Sequence, residues 1–410
     1  MPPDSTPTDT PRLPLSGIKV ADFGQYVAGP FCAAILAAFG ADVVRIERPG
    51  GGTDRDLVPL EPGRGGDGAL YRQMNRNKRS LALDLGAPGA ADVVRRLIGW
   101  SDVVVANLPP AALGRIGLDT DSVAAANPEA ILVTCSAYEE SGPRSNLVGF
   151  DGTGQALSGA MHMTGDDGVP RKAYVHYVDF CTAAMSAFGV AMALLERSRH
   201  GLGQQVSASL LRTALTMTNS TLMEEAVLHP DRTGTASRAQ QAGPADLFRT
   251  RDGWLLVQVA SNAMFARWAV LVERPDLIGA PGYAADVERG DNGPVLSGIM
   301  QDWCASRTTQ ACLSALREAR LPASEVLSPA RALEDPALTH GDWFETTNLG
   351  GGVSVPVATP PIMLSRTPQA RLRPAPRLGE HTEDVLRDVG YSGPEIAALV
   401  GSGVVAGRED

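Results

Sequence analysis

Short runs of β-branched residues alternate with longer segments rich in alanine and leucine between positions 15 and 211, and this alternation constrains the fold most. A parallel sheet covered by helices produces this pattern, because its strands are buried on both faces. The predicted strands are 18–23, 42–47, 80–85, 102–108 and 130–136, and the predicted helices between them are 30–39, 89–98 and 121–126. The sequence therefore predicts an α/β fold with a Rossmann-like, doubly wound parallel-sheet domain.

The pattern changes after a long apolar helix predicted from position 180 to about 198. Residues 247–259 predict a hairpin that turns at Asp252 and Gly253. Further helices are predicted at 262–271, 295–306 and 309–318, and residues 321–333 are predicted to leave this region as a linker. A second, smaller domain is expected here, and a closing helix is expected to begin near Thr382.

Composition excludes several classes of protein. The 410 residues include 36 Lys and Arg against 46 Asp and Glu, so the net charge of -10 disfavours nonspecific binding to nucleic acid. The five cysteines form no CxxC pair, and the first dozen residues are polar and proline-rich without an apolar core. No apolar stretch reaches the length of a membrane span. We therefore expect a protein of the reducing cytoplasm, with no membrane partner and no nucleic-acid partner.

Common catalytic motifs are absent from the sequence. The glycines after the first predicted strand, in GQYVAGP, do not match GxGxxG, and there is no GxxxxGK[ST], HExxH or GxSxG. The six histidines show no metal-ligand spacing, so no metal site is predicted. Any catalysis is expected to use carboxylates or backbone dipoles.

Four stretches together resemble the class III CoA-transferase family, the group of formyl-CoA transferase, carnitine CoA-transferase and the α-methylacyl-CoA racemases. The opening segment PLSGIKVADFGQYVAGPFCAAILAAFGADVVRIERPGG is similar to the family's first strand, helix and strand, and NRNKRSLALDL looks like its most distinctive signature. The segments GFDGTGQALSGAMHMTG and ALLERSRHGLGQQVSASL, with the residues around Asp179, resemble its central part, and APRLGEHTEDVL its C-terminal element. The likeness spans nearly the whole chain and is weakest between about 215 and 330.

The resemblance implies a particular architecture. A large CoA-binding domain is made from both ends of the chain, a small α+β domain is inserted, and two subunits interlock as a homodimer. The implied division is a flexible tail at 1–13, the large domain at 14–215 and 335–410, and the small domain at 225–325. The implied substrates are an acyl-CoA and a small carboxylic acid, with no tightly bound cofactor.

The residues themselves also suit a CoA site. Small residues after the first strand permit close backbone approach, and the helix that follows offers free N–H groups at its start. Arg48 and Arg115 follow predicted strands, and Lys78 and Arg79 precede one, so we expect cations for the CoA phosphates at one sheet edge. Solvated surface charges and core packing are the alternative explanations for these residues. By resemblance, the CoA contacts fall on Val27, Ala28, Arg48, Leu83, Asn107, Arg115 and Ile116, with Asp151 near the pantetheine end.

Asp179 is the candidate catalytic residue. An aspartate directly before a long apolar helix is commonly an N-cap, and the helix dipole would keep its carboxylate ionised. The same helix start could stabilise an oxyanion on a nearby thioester. In the resembled family the matching aspartate is the nucleophile, which forms an acyl anhydride and then a CoA thioester.

Two other functions stay open. Racemisation of a 2-methylacyl-CoA needs two proton-transfer groups, and racemases of the family carry a histidine where this chain has Phe150. His162 and His176 are the nearest substitutes in the sequence. A catalytically silent acyl-CoA-binding protein is the second alternative.

Overall fold

The computed structural model describes residues 13–60, 67–350 and 353–407. The described chain forms two compact units, one from residues within 1–158, 174–223 and 342–410 and one from residues 159–173 and 224–341. The second unit thus includes 159–173, a segment that the sequence analysis assigned to the large domain. The predicted flexible tail at 1–13 lies outside the described residues, apart from Leu13. The predicted domain boundaries stay a prediction.

The strands are named β1 to β12 in chain order. They are β1 (Lys19–Asp22), β2 (Asp42–Glu47), β3 (Arg79–Leu83), β4 (Val103–Ala106), β5 (Ile131–Ser136), β6 (Gln205–Ser209), β7 (Ala245–Arg249), β8 (Trp254–Gln258), β9 (Ala323–Glu325), β10 (Phe344–Gly350), β11 (Val353–Ala358) and β12 (Val405–Ala406).

The helices are named α1 to α17 in chain order. They are α1 (Ala28–Ala38), α2 (Ala69–Asn75), α3 (Ala90–Trp100), α4 (Pro110–Arg115), α5 (Thr120–Ala126), α6 (Asp151–Leu157), α7 (Ala160–Thr164), α8 (Tyr177–His200), α9 (Leu210–Leu228), α10 (Asn262–Leu271), α11 (Asp286–Asp291), α12 (Gly293–Ala305), α13 (Thr309–Glu318), α14 (Pro329–Glu334), α15 (Pro336–Thr339), α16 (Thr382–Asp388) and α17 (Gly393–Gly401). Short 3-10 helices occupy Thr53–Asp56 and Pro275–Leu277.

A seven-stranded sheet forms the centre of the first unit. Its strand order is β12-β3-β2-β1-β4-β5-β6, and every pair is parallel except the antiparallel pair of β12 with β3. Alternate residues of each strand point to opposite faces, so Ala21 and Val44 pack on one face while Val20 and Val43 pack on the other. The predicted α/β fold with a parallel sheet is confirmed.

Helices cover both faces of this sheet. Side chains of α3, α5, α16 and α17 pack in one apolar cluster, and those of α1, α8 and α9 pack in the other. In the described chain, α8 is long and apolar enough to span a membrane by length and composition alone, a test that core helices of soluble proteins also pass. Here α8 packs on α1, α6, β5 and β6. These contacts fix the start of α8 beside the sheet.

The second unit has its own core. The antiparallel strands β7, β8 and β9 pack with α10, α12 and α13 around Trp268, which is fully buried. The predicted hairpin is confirmed by β7 and β8. The linker predicted for 321–333 is wrong, because β9 pairs with β8 and α14 follows it.

Candidate active site

The strand order reverses between β1 and β4. Strands β2 and β3 lie on one side of β1, and β4, β5 and β6 lie on the other. Ligands of open α/β sheets bind in the crevice outside the carboxyl ends of the strands at such a point. The loop from β1 to α1, residues 23–27, lies at this crevice, and Asn107 directly follows β4. Two of the residues predicted to bind CoA, Val27 and Asn107, therefore come from the two strands that border the crevice.

Hydrogen bonds fix the backbone conformation of this loop. The Gln25 N–H donates to Asn107 Oδ1 at 2.8 Å, and Asn107 Nδ2 donates to the Gln25 carbonyl at 2.6 Å. Tyr26 adopts a positive φ of 62°, which is rare for a residue with a Cβ atom, and its N–H donates to Asp54 Oδ2. A Cβ atom at Gly24 would lie 2.7 Å from Asp22 Oδ1, so only glycine fits there. The loop is thus tightly constrained.

The other predicted CoA residues occupy different environments. Val27, Ala28 and Leu83 are buried, and Leu83 packs in the core of the sheet, where its side chain is not accessible to a ligand. Arg48 is exposed after β2, and its Nε donates to the Gly51 carbonyl. Arg115, which is exposed, and Ile116, which is half-buried, line a cavity of about 410 Å³ together with Leu85, Ile98 and other residues of α3 and α5.

Lys78 and Arg79 do not take the place predicted for them. Lys78 is fully buried, and its Nζ donates to Asp22 Oδ2 at 2.7 Å and to the Pro30 carbonyl at 2.8 Å. Arg79 begins β3 and forms ion pairs with Asp42 and Asp388, at the amino edge of the sheet. The expected position at the carboxyl edge of the sheet is wrong for Arg79. Lys78 reaches Asp22 at the carboxyl end of β1, but its charge is already paired there with that carboxylate.

A network of buried charges supports the crevice. Besides Lys78 and Asp22, Arg45 pairs with Asp54 at 2.9 Å and Arg55 pairs with Glu47 at 2.7 Å. Burial alone would raise the pKa of Glu47, but the hydrogen bond and charge of Arg55, together with Arg45, lower it. The pairing within this network is not evident from the sequence, although Asp22 and Arg45 stand out as charged residues inside apolar strands, where a partner is required.

Asp151 lies at the start of α6 and is 1% exposed. Its Oδ2 accepts the N–H groups of Val178 at 2.8 Å and Asp179 at 3.2 Å. These are first-turn N–H groups of α8, so Asp151 caps this helix from another segment of the chain. The same groups are therefore not free to stabilise an oxyanion, contrary to the expectation from the sequence.

Asp179 lies inside the first turn of α8 and does not cap it, because the helix begins at Tyr177. Its side chain is 8% exposed, and no group of the described chain donates a hydrogen bond to its carboxylate. Burial, and secondarily the charge of Asp151, raises the pKa of Asp179 to about 7. The predicted N-cap role is wrong, because α8 begins two residues earlier. The predicted stabilisation of the ionised form is also wrong, because burial outweighs the helix dipole here.

Two aromatic contacts bring the β1–α1 segment next to the two aspartates. The Tyr26 ring meets the ring of Phe150, which precedes Asp151, edge to face at 5.3 Å between centroids. The Phe31 ring meets the ring of Phe180, which follows Asp179, in the same way at 4.9 Å. The structure therefore brings Asp151, Asp179 and the loop before α1 together at one side of the sheet.

Comparison with known proteins identifies the family. The sequence profile of CoA-transferase family III matches residues 15–382. The chain belongs to CoA-transferase family III. It is a transferase, and the resemblance found in the sequence is confirmed.

Individual relatives agree with this family. The chain is 30% identical to a succinate–glutarate CoA-transferase of Agrobacterium fabrum, with 93% of this chain and 98% of the relative covered. It is 32% identical to the beta subunit of a succinyl-CoA–L-malate CoA-transferase of Chloroflexus aurantiacus, with 93% and 95% covered. The crystal structure of a CAIB/BAIF family protein from Brucella suis matches with a TM-score of 0.79 and 25% identity, over 92% of this chain and 100% of that one.

Proposed function

We propose that this family III CoA-transferase moves CoA from an acyl-CoA to a carboxylic acid, with Asp179 as the nucleophile. The observation that carries the proposal is the environment of Asp179, a nearly buried carboxylate with a pKa of about 7 that pairs with no cation of the described residues. Such a perturbed group beside a ligand crevice is a candidate for covalent catalysis. A carboxylate that accepts no hydrogen bond also keeps its lone pairs free for attack.

The proposed reaction has four balanced steps. An Asp179 oxygen attacks the thioester carbonyl carbon, the C–S bond breaks, and CoA thiolate leaves behind an aspartyl-acyl anhydride. The thiolate attacks the Asp179 carbonyl carbon, the anhydride C–O bond breaks, and the donor acid leaves as a carboxylate. The acceptor carboxylate then displaces thiolate from the aspartyl-CoA thioester, and the thiolate attacks the acceptor carbonyl to release Asp179. No net proton is consumed, and one thioester replaces another.

The neutral fraction of Asp179 limits this chemistry at low pH. With a pKa of about 7, a substantial part of the free enzyme carries a protonated Asp179 at neutral pH. Only the ionised form attacks, so the rate is expected to rise with pH through this range. Burial raises the reactivity of the ionised form, because less water must be removed before attack.

CoA is proposed to lie along the carboxyl edge of the sheet. We assign the cavity at Arg115 and Ile116 to the nucleotide end, because a cation stands at an otherwise mainly apolar cavity. Arg48 is the second candidate for a phosphate, and Val27, Ala28 and Asn107 border the path to Asp151 and Asp179. An Arg48→Ala variant with an unchanged Kd for CoA would remove Arg48 from this site.

The names of the relatives indicate which carboxylic acids are candidate substrates. The relatives named above act on succinyl-CoA or succinate with glutarate or L-malate as partners. We propose a short dicarboxylate as one of the two acids here. A cytoplasmic location, in line with five free cysteines, is part of the same proposal.

A homodimer is proposed on the evidence of α8. Met185, Phe188, Met192 and Leu195 recur at helical spacing and are all exposed, which leaves an apolar stripe on the protomer. We propose that a second copy covers this stripe, and that the subunits interlock as the resemblance implies. A solution mass equal to one protomer, by light scattering, would contradict the dimer.

Racemisation is the weaker alternative. Phe150 stands where racemases of the family carry histidine, and a phenyl ring cannot transfer a proton. Deuterium incorporation at the α-carbon of a 2-methylacyl-CoA in heavy water, without thioester exchange, would favour it over transfer.

The direct test is a transfer assay with Asp179→Ala. Wild-type protein is incubated with succinyl-CoA and a panel of free acids, and new thioesters are separated by chromatography. We expect Asp179→Ala to lower turnover at least about a thousandfold while CoA still binds. Asp121→Ala, which removes an exposed first-turn aspartate of α5, is the matched control and should be fully active. Undiminished turnover in Asp179→Ala would overturn the proposal.

A further inference from the structure

A second cavity lies in the first unit, and none of its described lining residues is among those predicted to bind CoA or to react. It measures about 360 Å³ and is lined by α2 on one side and by the hairpin of β10 and β11 on the other. Most of its wall is apolar, with Leu60, Phe344 and Pro356 among the lining residues. Arg72 of α2 and Arg76, which directly follows α2, also line it.

Arg76 is a buried cation that has no counter-ion among the described residues. Its side chain is only 8% exposed, its Nη1 donates to the Ala358 carbonyl at 2.7 Å, and its buried Nε has no hydrogen-bond partner. Burial lowers the pKa of Arg76, opposed by the charge of exposed Glu345, but a guanidinium remains protonated. Glu345 acts on Arg76 through its charge, and no ion pair between the two is found in the described chain. A buried charge in this state is costly unless something pairs with it.

The other buried arginines of the described chain pair with carboxylates, unlike Arg76. Among the described residues, Arg45, Arg55 and Arg289 are also buried, and each forms an ion pair with an aspartate or glutamate. Arg76 alone of these four forms none. Among the buried arginines of the described chain, the lack of an ion pair is therefore particular to Arg76.

Arg72 adds a second unpaired cation to the same wall. It lies four residues before Arg76, and both side chains line the cavity. Its Nε donates to the Asp67 backbone carbonyl at 2.7 Å, and it forms no ion pair with any carboxylate of the described chain. Two like charges side by side repel each other, and an anion between them would relieve this repulsion.

We propose that this cavity binds a small carboxylate with an apolar body, whose carboxylate pairs with Arg76 and Arg72. Guanidinium groups match carboxylates in geometry as well as charge, and the apolar wall accepts the rest of the molecule. A volume of about 360 Å³ suits a ligand on the order of ten non-hydrogen atoms. The proposal is independent of the reaction at Asp179, because no residue of this cavity takes part in it.

The test uses hexanoate as the probe and the full-length protein without CoA. Calorimetric titration compares hexanoate with hexanamide, which has the same shape without the charge. We expect saturable binding of hexanoate, and binding of hexanamide that is weaker by about tenfold or more. A crystal soaked with 6-bromohexanoate should show the bromine between α2 and the β10–β11 hairpin.

Three variants complete the test. Arg76→Gln and Arg72→Gln should each weaken hexanoate by about tenfold, whereas Arg387→Gln, an exposed arginine of α16, should not change it. Because Arg72 is only half-buried, hexanoate binding by Arg72→Gln tests the proposal if Arg76→Gln does not fold. Equal binding of hexanoate and hexanamide, an unaffected Arg72→Gln, or no binding at millimolar hexanoate would each overturn the proposal.

Discussion

Two groups of buried carboxylates lie at the same side of the sheet and differ in one respect. Asp22, Glu47 and Asp54 each pair with a buried Lys or Arg. Asp151 accepts N–H groups of α8 and an N–H of Gln155, the Asp179 carboxylate accepts no hydrogen bond, and neither pairs with a cation of the described chain. The first group keeps its charges in a fixed arrangement, whereas the second holds a carboxylate that burial makes costly to ionise.

The presence or absence of a paired cation separates carboxylates that stabilise the fold from a carboxylate that can react. A paired carboxylate is stabilised as an anion and is a poor nucleophile, because its lone pairs are engaged. An unpaired one is destabilised as an anion, and a covalent bond to an acyl group or CoA relieves that cost. The comparison therefore predicts that removing charge has opposite effects on stability in the two groups.

Breaking a pair of the first group should have the largest effect. Lys78→Met leaves Asp22 buried without its cation, and we expect it to lower the free energy of unfolding by about 3–5 kcal/mol. Urea unfolding followed by tryptophan fluorescence measures this change. Lys172→Met, at an exposed lysine, is the control and should have almost no effect. A loss below about 1 kcal/mol in Lys78→Met would show that the pair is not structural.

Removing the unpaired charge should instead stabilise the protein. The pKa of Asp179 is about 7 in the folded chain and lies near 3.9 when unfolded, so folding favours its protonated form. The cost of ionisation is absent below about pH 4, grows between about pH 4 and 7, and is constant above. Asp179→Asn should therefore gain on the order of 2–4 kcal/mol at pH 8 and almost nothing at pH 4.

The control for this gain is an aspartate of opposite character. Asp119 caps α5, and its hydrogen bonds from Ser122 lower its pKa, so Asp119→Asn should lose stability at pH 8. A gain in Asp179→Asn that is the same at pH 4 and pH 8 would contradict the assigned pKa of Asp179.

A smaller effect is expected from the neighbouring carboxylate. Asp151→Asn keeps an oxygen that can accept the N–H groups of α8 but removes the negative charge beside Asp179. Because burial is the larger cause of the raised pKa, the rising limb of kcat/KM against pH should move to lower pH by at most about one unit. Asp121→Asn serves as the control, and a limb that stays in place or moves to higher pH would exclude the electrostatic link.

The local signals in the sequence predicted much of the fold. The range 42–47 predicted for β2 and the ranges predicted for α10 and α13 agree with the structure to the residue. Each of these elements has its own apolar pattern, since its side chains pack on a core that lies to one or both sides. The parallel sheet followed from such patterns alone.

Elements that depend on distant partners were missed. β9 is three residues long and pairs with β8, which lies some 65 residues earlier in the chain, so its sequence reads as a linker. The hairpin of β10 and β11 and the short antiparallel β12 were not predicted either. Their pairing is set by the tertiary structure more than by their own residues.

Contacts between distant residues also limit what the sequence predicts about the site. Asp179 and Asp151 were singled out from the sequence through the family resemblance, but the capping of α8 by Asp151 connects residues 27 positions apart. Burial of Asp179 is also a property of the assembled fold. The sequence alone suggested an N-cap stabilised as an anion, whereas burial raises the pKa of Asp179 and disfavours its ionised form.

The most direct measurement is to trap the covalent intermediate on Asp179. Wild-type protein is mixed with succinyl-CoA, treated with hydroxylamine and digested with trypsin, so that a thioester or anhydride on a carboxylate becomes a hydroxamate. Asp179 falls in peptide 173–197 and Asp151 in peptide 145–171, so mass spectrometry distinguishes the two. A reducing agent removes any CoA disulfide at Cys181, which shares the first peptide. The account predicts a hydroxamate on Asp179 that is absent from Asp179→Asn; thioester exchange without any modification of peptide 173–197 would contradict it.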